Sequence, residues 1–125
     1  MMDHDPASAG DGLEARLAEL TALGAWEWQL HAFDGDRLTL AGGQDMTYGR
    51  FAEAYFSGVT YISCPTRMMH AHFRVASEHE ATLARLQAEV PRGSTVIAID
   101  SDTTSSFEAV SLIMAQRVEL KILRR

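Results

Sequence analysis

The residues best suited to chemistry fall in three short stretches. His70-Ala71-His72 sets two imidazoles two positions apart. On an extended strand such residues share a face about 7 Å apart. Both rings could then reach one metal ion, with Glu78 or His79 completing the set. On a solvated face the same pair would instead titrate near neutrality, as a pH-sensitive surface. The apolar run Val96-Ile97-Ala98-Ile99 delivers Asp100-Ser101-Asp102-Thr103-Thr104. These carboxylates and hydroxyls could attack an electrophile, move a proton or hold a hard cation. They could equally close a turn by bonding nearby backbone amides. Cys64, the only cysteine, follows an expected strand and precedes Pro65. It becomes a nucleophile only where a base, a cation or a helix N-terminus stabilises its thiolate; otherwise it packs as a small inert hydrophobe.

Set against known patterns, none of the three is complete. The strand with Asp100-x-Asp102-x-Thr104 resembles the first motif of haloacid-dehalogenase-type phosphatases, in which the first Asp attacks and the second is the acid/base. That resemblance implies a downstream lysine, a metal-binding acidic pair and a Rossmann-like sheet. The 21 residues after Thr104 hold Glu108, Glu119 and Lys121 but no acidic pair. Read as a calcium loop from Asp100, position six is Ser105 where Gly is wanted, and position twelve is Ser111 where Glu is wanted. Cupins use His-x-His followed by Glu and a later His. Here Glu78 is too distant and the glycine before the pair is missing. There is no Cys-x-x-Cys, no Gly-x-Ser-x-Gly elbow and no glycine-rich phosphate loop. The sequence therefore assigns no catalytic residue, no metal ligand and no cofactor.

Charge and composition narrow the partners. The net charge is -6, Lys121 is the only lysine, and the arginines are scattered. Nucleic-acid binding needs clustered cations, so it is excluded. No apolar run approaches the roughly 18–20 residues of a membrane span. Met1 to Pro6 is acidic and lacks the apolar stretch of a signal peptide. With a single cysteine no intrachain disulfide forms, and a cytoplasmic location is expected. The beginning of the chain is acidic (Asp3, Asp5, Asp11, Glu14, Glu19) and the end basic (Arg117, Lys121, Arg124, Arg125). That asymmetry could draw the two ends together, or draw in a second subunit.

The elements that must position these residues follow from spacing. Residues 1–11 read as a disordered acidic lead-in and 12–125 as one domain. Leu13, Leu17, Leu20 and Leu23 recur at helical intervals and Gly24 ends the run, which predicts a helix over 12–23. The period then becomes two. Trp26, Trp28, Leu30 and Ala32 face the core; Glu27, Gln29 and His31 face away. Asp34-Gly35 turns the chain, giving a hairpin of 25–33 and 37–41. Residues 46–57 fit helix or strand, with the second half read as strand running on to Ile62. Over 67–76 the alternation puts Met69, Ala71, Phe73 and Val75 on one side and Met68, His70, His72 and Arg74 on the other. Ser77-x-x-Glu80 is a capping box for a helix over 78–90 with Leu83, Leu86 and Val90 inward. Strands at 96–99, 107–114 and 118–123 complete the chain, with a loop at 100–106.

Runs of strands without alternating helices give an α+β fold: a curved, mostly antiparallel sheet of six or seven strands with two helices. Its polar side would gather Glu27, Gln29, His31, His70, His72 and Arg74, a candidate binding surface and, on a curled sheet, a concave pocket. Leu38-x-Leu40, Phe56-x-Gly58-Val59-x-Tyr61-Ile62-x-x-Pro65, Phe73-x-x-Ala76-Ser77 and Met114-Ala115 resemble small uncharacterised bacterial α+β domains, some of them immunity proteins that neutralise toxins of neighbouring cells. This resemblance, from about Trp26 to Leu123, implies a non-enzymatic protein that binds a protein partner, one with a basic surface given the acidic balance. Self-association as a homodimer is a further expectation. The alternative is a small-molecule- or metal-binding protein, or an enzyme, using the His70/His72 face.

Overall fold

Leu17 and Leu20 are one turn apart on the first helix and both are fully buried. Their spacing fixes the face that this helix turns to the sheet. The computed structural model describes residues 6–44, 49–102 and 108–123. Helix α1 covers Pro6–Ala22. It thus takes in residues 6–11, expected as lead-in; Pro6 stands at the first helical position, where its missing N–H is not needed. The remainder of that lead-in, residues 1–5, lies outside the described residues. Gly24, at φ 72°, ends the helix in the left-handed conformation as expected.

The strands are β1 (Glu27–Asp34), β2 (Arg37–Gly43), β3 (Ala52–Ser57), β4 (Tyr61–Ser63), β5 (Arg67–Val75), β6 (Thr95–Asp102), β7 (Glu108–Ala115) and β8 (Arg117–Ile122), with helix α2 (Glu78–Arg85) between β5 and β6. They form one antiparallel eight-stranded sheet in the order β4-β7-β6-β5-β1-β2-β3-β8. The fold is α+β with two helices, as expected, but with more strands. Gly58 at φ 67° separates the expected continuous strand into β3, beside β2 and β8, and β4, beside β7. A single residue, Gln116, separates β7 from β8, although they lie at opposite ends of the order. Among the described residues the terminal strands β4 and β8 do not pair with each other, yet residues 58–60 and Gln116 are short links that bring the two ends of the order together, with the Gln116 amide donating to the Ser57 carbonyl at 2.9 Å. Residues 46–48 lie outside the described residues; the second half of 46–57 is strand, as read.

Two bulges correct the expected alternation. Along β1 the register slips between Leu30 and Ala32, and along β5 between Met69 and His72. A one-residue insertion turns every later side chain over. Met68 is consequently in the core and Met69 on the polar side, the reverse of the expected assignment. Ala32 is exposed. Trp28 is buried, but Trp26, just ahead of β1, is 49% exposed and is not a core residue.

The main core joins Leu17 and Leu20 of α1 to Trp28, Leu38, Leu40, Phe56, Met68, Phe73, Ile97, Ile99 and Ile113. Where β1 no longer flanks β5, α1 does: Thr21 Oγ1 accepts a hydrogen bond from the Phe73 amide at 2.9 Å. Helix α2 lies on the other side of the sheet through its alanines. Ala81 and Ala84 pack with Val96, Ala98, Leu112 and Met114. The helix ends at Arg85, earlier than expected, and Leu83, Leu86 and Val90 are exposed rather than inward. A small-residue face lets the helix approach the sheet closely, which leaves its larger side chains pointing away.

Candidate functional site on the polar side of the sheet

Helix α2 packs over β6 and β7 and reaches the end of β5 through Glu80 and Arg74, which leaves the same side of β1, β2 and β3 clear of α2. Cross-strand register sets a row across it: Arg67, Gln29, Ala41, Glu53 and Lys121, one per strand. A second row is Asp102, Met69, Glu27 and Gly43. Small residues on β2 leave room beside Glu27, which is buried at 5% exposure. Its Oε2 accepts from Arg67 Nε and from Gln29 Nε2, each at 2.7 Å. The carboxylate holds the Arg67 guanidinium above its ordinary pKa by that hydrogen bond and by its charge. Arg67 itself is exposed, presenting a cation fixed from below.

The two candidate histidines do not share an environment. His70 sits in the β5 bulge at φ 55°, a conformation few non-glycine residues adopt. Its Nδ1 is 2.7 Å from Asp102 Oδ2, and its ring meets Trp26 edge-on, centroids 3.9 Å apart. His72 is exposed and stands opposite Asp100, past the register slip. The pair is therefore not the regular same-face chelate that an unbroken strand would have offered. Among the described residues no group of three or more His, Cys, Asp or Glu side chains converges as a metal site.

Arg74 is committed within the molecule. Its Nε and NH2 donate to Asp100 at 2.7 and 3.0 Å, and NH1 and NH2 donate to Glu80 at 2.8 and 2.9 Å. Arg74 and the Ser77 amide hold the Glu80 carboxyl down to about 2. Arg74 likewise lowers Asp100. Glu80 also completes the capping box of α2, so this cluster fastens the helix to β5 and β6. The Asp100–Asp102 segment continues β6 instead of opening the expected loop, and residues 103–107 of that loop lie outside the described residues. Its two carboxylates engage Arg74 and His70.

His31 is exposed at the β1 bulge, and its charge is among those that hold Glu53 low. The larger cause there is a hydrogen bond donated by Tyr55 Oη, with Arg50 Nε 2.9 Å from the carboxylate. Arg37 lies over the Tyr55 ring at 4.1 Å. Sequence reasoning left Arg67, Arg37, Glu53 and Tyr55 out of its candidates; it singled out Asp102 only within the Asp100-x-Asp102 pattern and placed Trp26 in the core, not beside His70. The alternation of Glu53 and Tyr55 with Ala52, Ala54 and Phe56 was a usable signal; Arg67 and Asp102 needed the strand register.

The remaining candidates offer little chemistry. Cys64 is half-buried, and burial pushes its thiol up, away from a reactive thiolate. A cleft of about 320 Å³ lies between α1 and β5, walled by Leu17, Ala18, Ala22, Phe73 and Val75. No family model, curated protein or solved structure matches the chain. No helix among the described residues is long and apolar enough to cross a membrane.

Proposed function

We propose that this chain is a small non-catalytic binding protein that engages a protein partner through the polar side of β5, β1, β2 and β3, in the manner of an immunity protein. The observation that carries the reading is the buried Glu27 holding an exposed Arg67 on the part of the sheet face that lies clear of α2. Charges fixed in advance lose little freedom on binding, which favours specific recognition of a surface. The nearby groups are likewise held in pairs or stacks: His70 with Asp102 and Trp26, and Tyr55 with Glu53 and Arg37. Trp26, Arg67 and Tyr55 are residue types that dominate binding energy at interfaces.

The test is retention of a protein from a lysate of the source organism on immobilised chain. Wild type should retain one protein in near-stoichiometric amount. Arg67→Glu and Arg37→Glu should lose it, and Arg85→Glu, on α2, should keep it. Equal retention by Arg67→Glu and wild type would refute the reading.

A second reading has its own observation: Asp102 orients His70 beside Trp26, as for a small ligand or a metal. Stoichiometric zinc, nickel or iron in tag-free protein, lost in a His70→Ala/His72→Ala variant, would favour it.

A further inference from the structure

The cleft of about 320 Å³ between α1 and β5 touches His72, Phe73, Arg74 and Val75 in turn. Consecutive strand residues send their side chains to opposite sides of a sheet. A cavity that meets four in a row therefore runs along the edge of the strand, where its N–H and C=O groups lie. Across from it, Ala18 and Ala22 stand one turn apart on the facing side of α1.

Two bonds fix which backbone groups reach the cleft. The Ala76 amide donates to the Val96 carbonyl at 2.9 Å, so Ala76, Arg74 and His72 direct their backbone groups to β6. Phe73 and Val75, between them, turn theirs the other way, towards α1. Phe73 bears this out: its amide donates to Thr21 Oγ1 at 2.9 Å, and its carbonyl lies 3.4 Å from the same oxygen. The His70 amide donates to the Trp26 carbonyl at 3.0 Å, so α1 runs back along β5 from that point. Ala18 thus lies beyond Thr21 as Val75 lies beyond Phe73. An alanine has no hydroxyl to offer, and among the described residues neither backbone group of Val75 has a partner.

We propose that this cleft binds a compact apolar molecule bearing a primary carboxamide or a lactam, held by the backbone of Val75. In an extended residue the N–H and C=O point the same way, side by side. A carboxamide or lactam presents its C=O acceptor and N–H donor side by side as well. It would make with Val75 the two bonds that a residue of a neighbouring strand exchanges. The apolar body of the ligand would lie against Leu17, Ala18, Ala22 and the Val75 side chain. Small-molecule sites have this build: apolar walls and a few placed polar groups that set orientation. The corresponding carboxylic acid fits less well. Its carboxylate would accept from the Val75 amide but leave the carbonyl without a donor, and Glu14 lines the same cleft. Arg74 does not offset that charge, because its guanidinium is taken by Asp100 and Glu80. His72 is the other ionisable group at the cleft.

Amide NMR spectra of the intact protein, titrated with benzamide, test the proposal. Benzamide should give saturable shifts at the Val75 amide and along residues 18–22 of α1. Acetophenone, which has a methyl group in place of the NH2, and benzoate should each bind roughly tenfold more weakly, since either leaves the Val75 carbonyl unmet. Ala18→Leu and Ala22→Leu each place a larger side chain in the cleft at an exposed helical position that suits leucine. Each should weaken benzamide by tenfold or more while the spectrum away from the cleft stays that of the wild type. No saturable shift at the solubility limit of benzamide, a Val75 amide that does not move, equal binding of acetophenone, or full binding by both leucine variants would each overturn the proposal. None of these outcomes bears on partner binding through Arg67.

Discussion

Arg74 donates four hydrogen bonds to two carboxylates, and this ties part of the stability to pH. Folding lowers the Glu80 pKa from the usual 4.5 to about 2. A depressed carboxyl pKa stabilises the fold fully above its unfolded value, and that contribution fades as pH falls towards the folded one. Denaturant titrations should thus show stability falling between pH 4.5 and about 2. Glu80→Gln should flatten that fall and, with solvent screening allowed for, cost ~1–2 kcal/mol at neutral pH. A different strain sits at His70, whose φ of 55° suits glycine better. Both His70→Gly and His70→Ala lose the Asp102 and Trp26 contacts, so comparing them isolates the backbone. The glycine variant should be the more stable by about 1 kcal/mol in urea unfolding. These groups were legible as residue types in the sequence; their pairing was not, because Arg74 meets Asp100 and Glu80 only after β5, β6 and α2 are assembled.

Strands β1 and β2 show how far local pattern reaches. Asp34-Gly35 predicted their hairpin, and Gly35 does take a positive φ, 69°, in the turn. The capping box of α2 was as plain, since Ser77 and Glu80 bond within one turn. The bulges were not legible: a one-residue slip leaves no mark in composition, yet it decides which of Met68 and Met69 is core. Trp26 was read as inward because it continues the alternation of Trp28 and Leu30, but the strand begins only at Glu27. Nor did the sequence say why β2 carries Gly42. It lies opposite Trp28, and a Cβ there would fall 2.8 Å from indole carbons. Gly42→Ala should cost ~1–3 kcal/mol in thermal or urea unfolding, the ordinary penalty of overpacking a core.

Across the whole molecule, α1 replaces a strand along the free part of β5, and Thr21 is the contact that makes this possible. Thr21→Val keeps shape but leaves the Phe73 amide without its acceptor, and should cost ~1–3 kcal/mol by the same measurement. Unequal burial of the tryptophans gives an optical check. Trp26→Phe should leave emission blue-shifted and poorly quenched by acrylamide, because only Trp28, 1% exposed, remains. The strand order was the least legible property, since it depends on pairings distant in sequence. It also sets a timetable for synthesis. The first hairpin made, β1–β2, becomes the centre of the sheet, yet β5 arrives much later, and β3 waits for β8, the last of the described strands. A nascent chain leaving the ribosome therefore carries an unfilled β3 edge until β8 has emerged. A stop codon placed after Ala115 would make that exposure permanent, and the shortened product should be recovered in the insoluble fraction.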